Sequence, residues 1–318
     1  MHKSFPRAAL GLALCCSVAL SASAQQRWSI ATSSTGSGPY IIGSAVANAV
    51  NANSDALAVS AQTSGGYNNN LLLVSGKRAS SGLTFLSDLV EAYEGSGSFA
   101  ELPKGAFGKL RRMFPVTLTT VYCVVPAKSD IRSFADLRGR KVNINVAATS
   151  TNRANKAIIA ASGLSLSDFK TFEIATSKSY EALQDGIVDA TCNFQPHPSS
   201  SVEQLAASMP VRVLPISDEV FAAVNASYAN TMRRITIEAN TYAGQTEEVM
   251  TFAAPEILFT HADQDEEAVY ALTKAYWEGE RPTSAGFAGI SLKDALGDYP
   301  VPLHPGTERY LREKGMIE

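Results

Sequence analysis

The spacing of apolar and polar positions along this chain changes several times, always in the same order. Trp28 and Ile30 alternate with polar neighbours over 28–32, the period of a strand. A polar run follows: Ser33, Ser34, Thr35, Gly36, Ser37 and Gly38. From Pro39, a residue favoured in a first helical turn, the apolar positions Ile41, Ile42, Ala45, Val46, Ala49 and Val50 take helical spacing. The order recurs with a strand over 57–61, a turn over 63–66, and a helix over 67–75 closed by Gly76. It recurs again with Val142, Ile144 and Val146 alternating on a strand and a polar turn over 148–151. A helix carrying Ala154, Ala157, Ile158 and Ala161 then stops at Gly163. Strand, polar turn and helix, repeated, predict an α/β fold with largely parallel sheets.

A chain of 318 residues exceeds one ordinary core, so two lobes are expected. No tandem repeat, low-complexity tract or long linker divides it, so the boundary lies within continuous structure. The apolar segments 121–126 and 249–260 are the candidates for strands that cross between lobes. The first lobe is then discontinuous, 25–122 with 255–318, and 123–254 form the second.

The first residues change the picture by setting the compartment. Lys3 and Arg7 precede an uncharged run over 8–20, and Ala22, Ser23 and Ala24 are small enough for a signal peptidase. The run is too short for a permanent membrane helix, so 1–24 read as a secretory signal and the mature protein as soluble and periplasmic. Cys15 and Cys16 leave a lipoprotein open, although neither has the small residue before it that lipid attachment wants. Removing Lys3 and Arg7 with no acid takes the net charge from −3 to −5, which excludes a basic nucleic-acid surface. Cys123 and Cys192 remain; buried free thiols are the expectation, and a bridge stays open in an oxidising compartment.

Candidate chemistry concentrates in turns at predicted helix starts: 32–37, 63–69 and 149–152. A helix N-terminus has unpaired N–H groups and a partial positive charge, and Ser and Thr hydroxyls add donors. Such turns hold a carboxylate or phosphate without a lysine or arginine, although ordinary helix capping uses the same residues. In a parallel sheet they also lie at the strand edge where ligands bind. A fourth candidate, residues 193–198, reads as a loop after the apolar stretch 187–190, bringing Asn193, Gln195 and His197. Tyr122 either flanks a ligand or is a half-buried strand tyrosine. His197, His261 and His304 sit in none of the familiar catalytic or metal motifs. No enzyme, metal or cofactor is therefore expected. An exported hydrolase assembled from scattered Ser, His and Asp residues is the competing class.

At these residues the chain resembles the TAXI solute-binding proteins, receptors of tripartite (TRAP) transporters. Their first turn, T-G-G-T-x-G-T-Y-Y-P-x-G, corresponds to 32–43; their S/T-x-G-S-x-x-N motif corresponds to Thr63 through Asn69, with the following apolar run reaching Gly76. Their D-L-K-G-K-x-V signature corresponds to 136–142, and their P-L-H-P-G-A-x-R-Y-x-x-E-x-G signature to Pro302 through Tyr310, with Glu313 and Gly315. The resemblance implies a type II periplasmic-binding-protein fold and a ligand clamped between lobes. It also implies delivery of a small carboxylate to TRAP permease subunits by a monomer, driven by an ion gradient. The ligand contacts it implies are Thr32, Ser33, Ser34, Tyr40, Ser64, Gly65, Asn69, Thr149, Ser150, Thr151 and Asn152, with Gln195 and His197 as specificity contacts from the second lobe. Departures fall in these loops: Ser33 and Ser34 replace glycines, Gly66 replaces a serine, and Ala148 and Ser150 replace both glycines of a G-S-G-T loop. Side chains at former glycines reshape the cavity, so the ligand is expected to differ from glutamate. A receptor of an ABC importer, or of a sensory system, is the alternative.

Overall fold

The computed structural model describes residues 25–318 apart from Gly36, Ala148 and Ala285; the expected leader, 1–24, lies outside the described residues. In chain order the main elements are β1 (Gln26–Ala31), α1 (Gly38–Asn53), β2 (Leu57–Gln62), α2 (Tyr67–Ser75), β3 (Ser81–Phe85) and α3 (Leu86–Glu94). The chain continues with β4 (Leu110–Pro126), β5 (Lys141–Asn143), α4 (Ser150–Ala161), β6 (Lys170–Phe172), α5 (Thr176–Gln184), β7 (Ala190–Pro196) and α6 (Ser200–Ser208). It ends with β8 (Val211–Val213), α7 (Asp218–Ser227), β9 (Arg233–Ile237), β10 (Val249–His261), α8 (Glu266–Glu278) and α9 (Pro305–Glu313).

The strands order as β2-β1-β3-β10-β4-β7-β5-β6, with β8 added to β4 and β9 to β10. Within each flank the pairing is parallel: β1 with β2 and β3, and β5 with β6 and β7. Every pair made by β4 or β10 is antiparallel. The expected parallel sheets are therefore confined to the flanks, and the join between them is antiparallel. This is a two-lobed α/β fold of the type II periplasmic-binding-protein class.

The two long strands carry the join. β10 pairs with β3 through 256–260 and with β9 through 249–253, so one strand serves both flanks. β4 pairs with β10 from Leu110 and with β7 through 119–124. Its start at Leu110 corrects the expectation of a strand beginning at 121. Arg111, Arg112 and Pro115 hide the apolar run. Arg112 is nonetheless buried, because its guanidinium donates to the carbonyls of Val301 (2.8 Å), Gly297 (3.0 Å) and Ala295. Pro255 faces Leu118 in the β10–β4 ladder, and the Leu118 N–H donates instead to the Gly286 carbonyl at 3.1 Å. A register shift follows at once, between Glu256 and Ile257.

Separate cores form on the two sides. Trp28, Ile30, Val46, Val50, Leu83 and Phe114 pack with Leu272 and Tyr276 on the first; Val142, Ile144, Ile158, Ala190 and Leu214 pack with Phe252 on the second. Leu71, Val74 and Leu89 extend the first core, and Tyr122, Val202 and Val213 the second. Helix faces with i, i+4 spacing fill them, as Val46 and Val50 do on α1.

Three further expectations are corrected. The third predicted strand stops at Asn143 instead of reaching Val146, because Asn145 takes a left-handed φ of 69° and turns the chain toward α4. Residues 193–196 are strand rather than loop: β7 pairs Asn193 with Tyr122 and Gln195 with Thr120. That register also sets Cys123 opposite Cys192 with Cα atoms 4.0 Å apart, and they form a disulfide rather than free thiols.

Candidate ligand cleft

A cavity of about 620 Å³ lies where the two flanks meet, and helix starts line it from both sides. Gly38 and Pro39 open α1, Gly66, Tyr67 and Asn68 open α2, Thr149, Ser150 and Thr151 open α4, and Thr176 opens α5. The floor comes from the crossing strands through Thr119 and Glu256, and from Gln195 and Pro196 of β7. Ile42, Tyr67, Phe85 and Phe194 supply an apolar wall. The Tyr67 and Phe85 rings meet edge to face at 4.9 Å, and Phe85 and Phe194 lie 6.1 Å apart.

Among the described residues, no lysine or arginine lines this cavity. Positive potential therefore comes from helix N-termini, four of which converge here. Ser37 accepts from Tyr40 N–H at α1, and Thr149 accepts from Asn152 N–H at 3.1 Å at α4. α2 and α5 have no side-chain cap, so their first N–H groups stay open to a guest. Gly66 is required at the α2 start: its φ of 96° and ψ of −169° suit glycine alone, which explains the glycine there.

Among the described residues, one carboxyl side chain lines the cavity: Glu256, 2% exposed. Its two carboxyl oxygens hydrogen-bond the Tyr67 and Thr117 hydroxyls. Burial without a compensating cation pushes its carboxyl up to about 8. At the mouth, Arg153 of α4 donates to Asp88 at 2.7 Å and to Glu91 at 2.9 Å, both on α3. The guanidinium lies 4.8 Å from the Tyr228 ring centre. Burial raises Asp88 to about 6 even against the opposing charge of Arg153.

Of the residues singled out in the sequence, Ser33, Gly65, Thr149, Ser150, Thr151 and Gln195 line the cavity. The remainder sit behind it, building the loops. Thr32 is fully buried and donates to the Gln62 carbonyl at 2.8 Å. Ser64 donates to Asn70 at 2.6 Å and to the Thr32 carbonyl at 3.1 Å, and accepts from Gly66 N–H. Asn69 accepts from Gly65 N–H at 3.1 Å. Asn152, 2% exposed, donates to the Ile144 and Asn145 carbonyls and ties α4 to β5. Ser34 and Tyr40 belong to the α1 entry without lining the cavity: the Ser34 carbonyl accepts from Ser37 N–H.

His197 is the main correction. It points away from the cleft to the Tyr122 hydroxyl, 2.5 Å from Nδ1, and burial lowers its pKa, so it is neutral at pH 7. Tyr122 is fully buried and also accepts from Tyr242 at 3.0 Å. Sequence reasoning missed Tyr67, Phe85, Phe194 and Glu256. Tyr67 immediately follows the Gly65-Gly66 turn, a signal that was available. Glu256 sits within an apolar strand, where a single acid is itself a signal.

Two lobes joined by long strands, with helix starts aimed into one cleft, define the type II periplasmic-binding-protein architecture. The chain belongs to the NMT1-like family, whose model matches residues 30–315. Among solved structures it is similar to the periplasmic sulfonate-binding protein SsuA of a putative sulfonate ABC transporter from Methylobacillus flagellatus KT. The identity is 14% over 79% of this chain and 67% of that one, with a TM-score of 0.49. It is also similar to the probable amino-acid ABC transporter extracellular-binding protein ytmK of Bacillus subtilis, with 11% identity over 79% and 90% of the two chains and a TM-score of 0.48. The second substrate-binding domain of Lactococcus lactis GlnP, in an open conformation, gives 12%, 79%, 88% and 0.44.

Proposed function

We propose that this chain is an extracytoplasmic solute-binding protein that captures a small organic anion between its lobes and hands it to a membrane importer. The observation that carries this reading is the convergence of four helix N-termini, two from each lobe, on one cleft lined, among the described residues, by no basic side chain. An anionic head group, carboxylate or sulfonate, is held by N–H groups and the Ser33, Thr149, Ser150 and Thr151 hydroxyls. Its apolar body rests on Ile42, Phe85 and Phe194. Gln195 is the second-lobe residue that reads the polar substituents.

Binding acts by population shift. Contacts from both lobes to one guest form only when the lobes close, so the guest favours closure and the importer recognises the closed form. We infer that the chain bends near Leu118 and Pro255, where β4 and β10 change partners, close to the boundaries expected at 122 and 255. Export is supported by the Cys123–Cys192 disulfide, which persists in oxidising compartments. No helix among the described residues is long and apolar enough to cross a membrane.

The importer is read first as an ABC type. The family found is described only as NMT1-like, and the TAXI loop motifs are altered at Ser33, Ser34, Gly66 and Ser150, the loops that meet the guest. An ion-driven tripartite permease is the second reading, favoured by the 302–315 signature. Neighbouring genes separate them: an ATPase for the first, a permease pair for the second. The reading is tested by isothermal titration against amino acids, keto acids, dicarboxylates and alkanesulfonates. Saturable binding of at least one anion is expected; binding of none, or turnover of one, contradicts it.

A further inference from the structure

Glu256 raises a problem for an anion receptor: a buried acid lines the cleft where a negative guest must sit. Among the described residues, no cation offsets it. The elements packed around it bring Tyr67 from α2, Thr117 from β4 and Phe85 from β3. α3 brings Asp88 and Glu91, both held by Arg153. Arg111 and Arg112 of β4 lie four and three ladder positions away, opposite Thr260 and Phe259. Arg233 and Arg234 on β9 are engaged by Asp294 and Asp218.

The hydroxyl contacts settle what each protonation state offers. An ionised carboxylate accepts only, so both the Tyr67 and Thr117 hydrogens turn toward it. A protonated carboxyl has one O–H to give. Donated to the Tyr67 oxygen, it frees the Tyr67 hydrogen, and Tyr67 lines the cleft. We propose that Glu256 determines the cleft's selectivity for anions: as a neutral acid it donates to Tyr67, which presents its own hydrogen to the guest. Ionisation turns the Tyr67 hydrogen back to the carboxylate, while Thr117 donates in both states, and it adds a repelling charge. The inference deepens the receptor reading and rests on it. Burial that holds the carboxyl up to about 8 keeps it neutral near pH 7.

The test uses the mature chain, its E256Q and Y67F variants, and the anion selected by the titration panel. Infrared difference spectra between pH 7 and pH 9, above the range in which Asp88 titrates, should show a protonated-carboxyl band lost in wild type and no comparable loss in E256Q. Wild-type affinity should fall about tenfold per pH unit once Glu256 ionises. E256Q, whose amide donates to Tyr67 at every pH, should show an affinity that no longer changes between pH 7 and pH 9. Y67F should bind about tenfold more weakly at pH 7 and still show the band. No titrating band, or the same pH profile in wild type and E256Q, overturns the role of Glu256 and leaves the receptor standing. A titrating band with no anion bound at any pH overturns both.

Discussion

Arg153 on α4 holds Asp88 on α3 at 2.7 Å across the mouth of the cleft, joining one lobe to the other by a buried carboxylate. Asp88 and Glu91 are 3% and 8% exposed, and Arg153 packs against Tyr228 on its own side. The pair therefore bears on lobe closure rather than on the stability of either core.

Replacing Arg153 by Gln leaves both acids buried without their partner, so the lobes separate more readily. The expected loss is about 1–3 kcal/mol of interlobe free energy, discounted because Arg153 is one-third exposed. Small-angle scattering of the unliganded protein should report a larger radius of gyration for R153Q. Equal radii would show that the pair does not restrain opening.

The cleft predicts a separation of binding from folding. Ser150 opens α4 and lines the cavity, so S150L fills guest volume without entering a core. A guest at a hundredfold excess over its Kd stabilises the wild type by about 2.7 kcal/mol. S150L should melt unliganded near the wild-type temperature and lose that shift. A preserved shift removes Ser150 from the site.

Gly66 gives a sharper local case. Its backbone conformation is open to glycine and costs a side chain about 1–3 kcal/mol. G66A should lower the melting temperature and weaken guest binding together, because the strained turn delivers the uncapped N–H groups of α2. Melting unchanged from wild type contradicts the assigned backbone.

How much of this was legible in the sequence follows from range. The strand–turn–helix units were readable because Trp28, Ile30, Val46 and Val50 each announce a local period. The ligand-loop serines and threonines were readable for the same reason, but their division of labour was not. Thr32 and Ser64 carry the same hydroxyl as Ser33 and Thr149, and Asn69 is as polar, and only the folded loop shows that they bond to it from behind. His197 follows directly on Gln195 and Pro196 in sequence, but it lies just past the end of β7 and its ring turns to the Tyr122 hydroxyl, a contact between segments 75 residues apart. The Cys123–Cys192 pairing depended on the β4–β7 register, which joins segments 69 residues apart.

That pairing has a measurable consequence. Closing a loop of this length restricts the unfolded chain, and removing the bridge by C123A with C192A should lower stability by about 2–4 kcal/mol. Denaturant melts of the double variant check it; equal midpoints would mean the thiols are not joined in the protein.

Glu256 makes stability depend on pH with a definite sign. Its folded pKa of about 8 lies above the ordinary glutamate value of 4.5, so its contribution is full below 4.5 and is lost as pH rises through 8. E256Q has no such loss. Its stability relative to wild type should therefore grow by about 4 kcal/mol between pH 5 and pH 9. A difference that stays constant, or shrinks with pH, contradicts a neutral buried acid.

The most direct measurement is mass spectrometry of what wild type and S150L, purified side by side, release on mild unfolding. Release of one small organic anion in near-stoichiometric amount from wild type, and its absence from S150L, is the predicted result. Equal release from both proteins, or a guest that carries no negative charge, would contradict capture by the helix starts of this cleft.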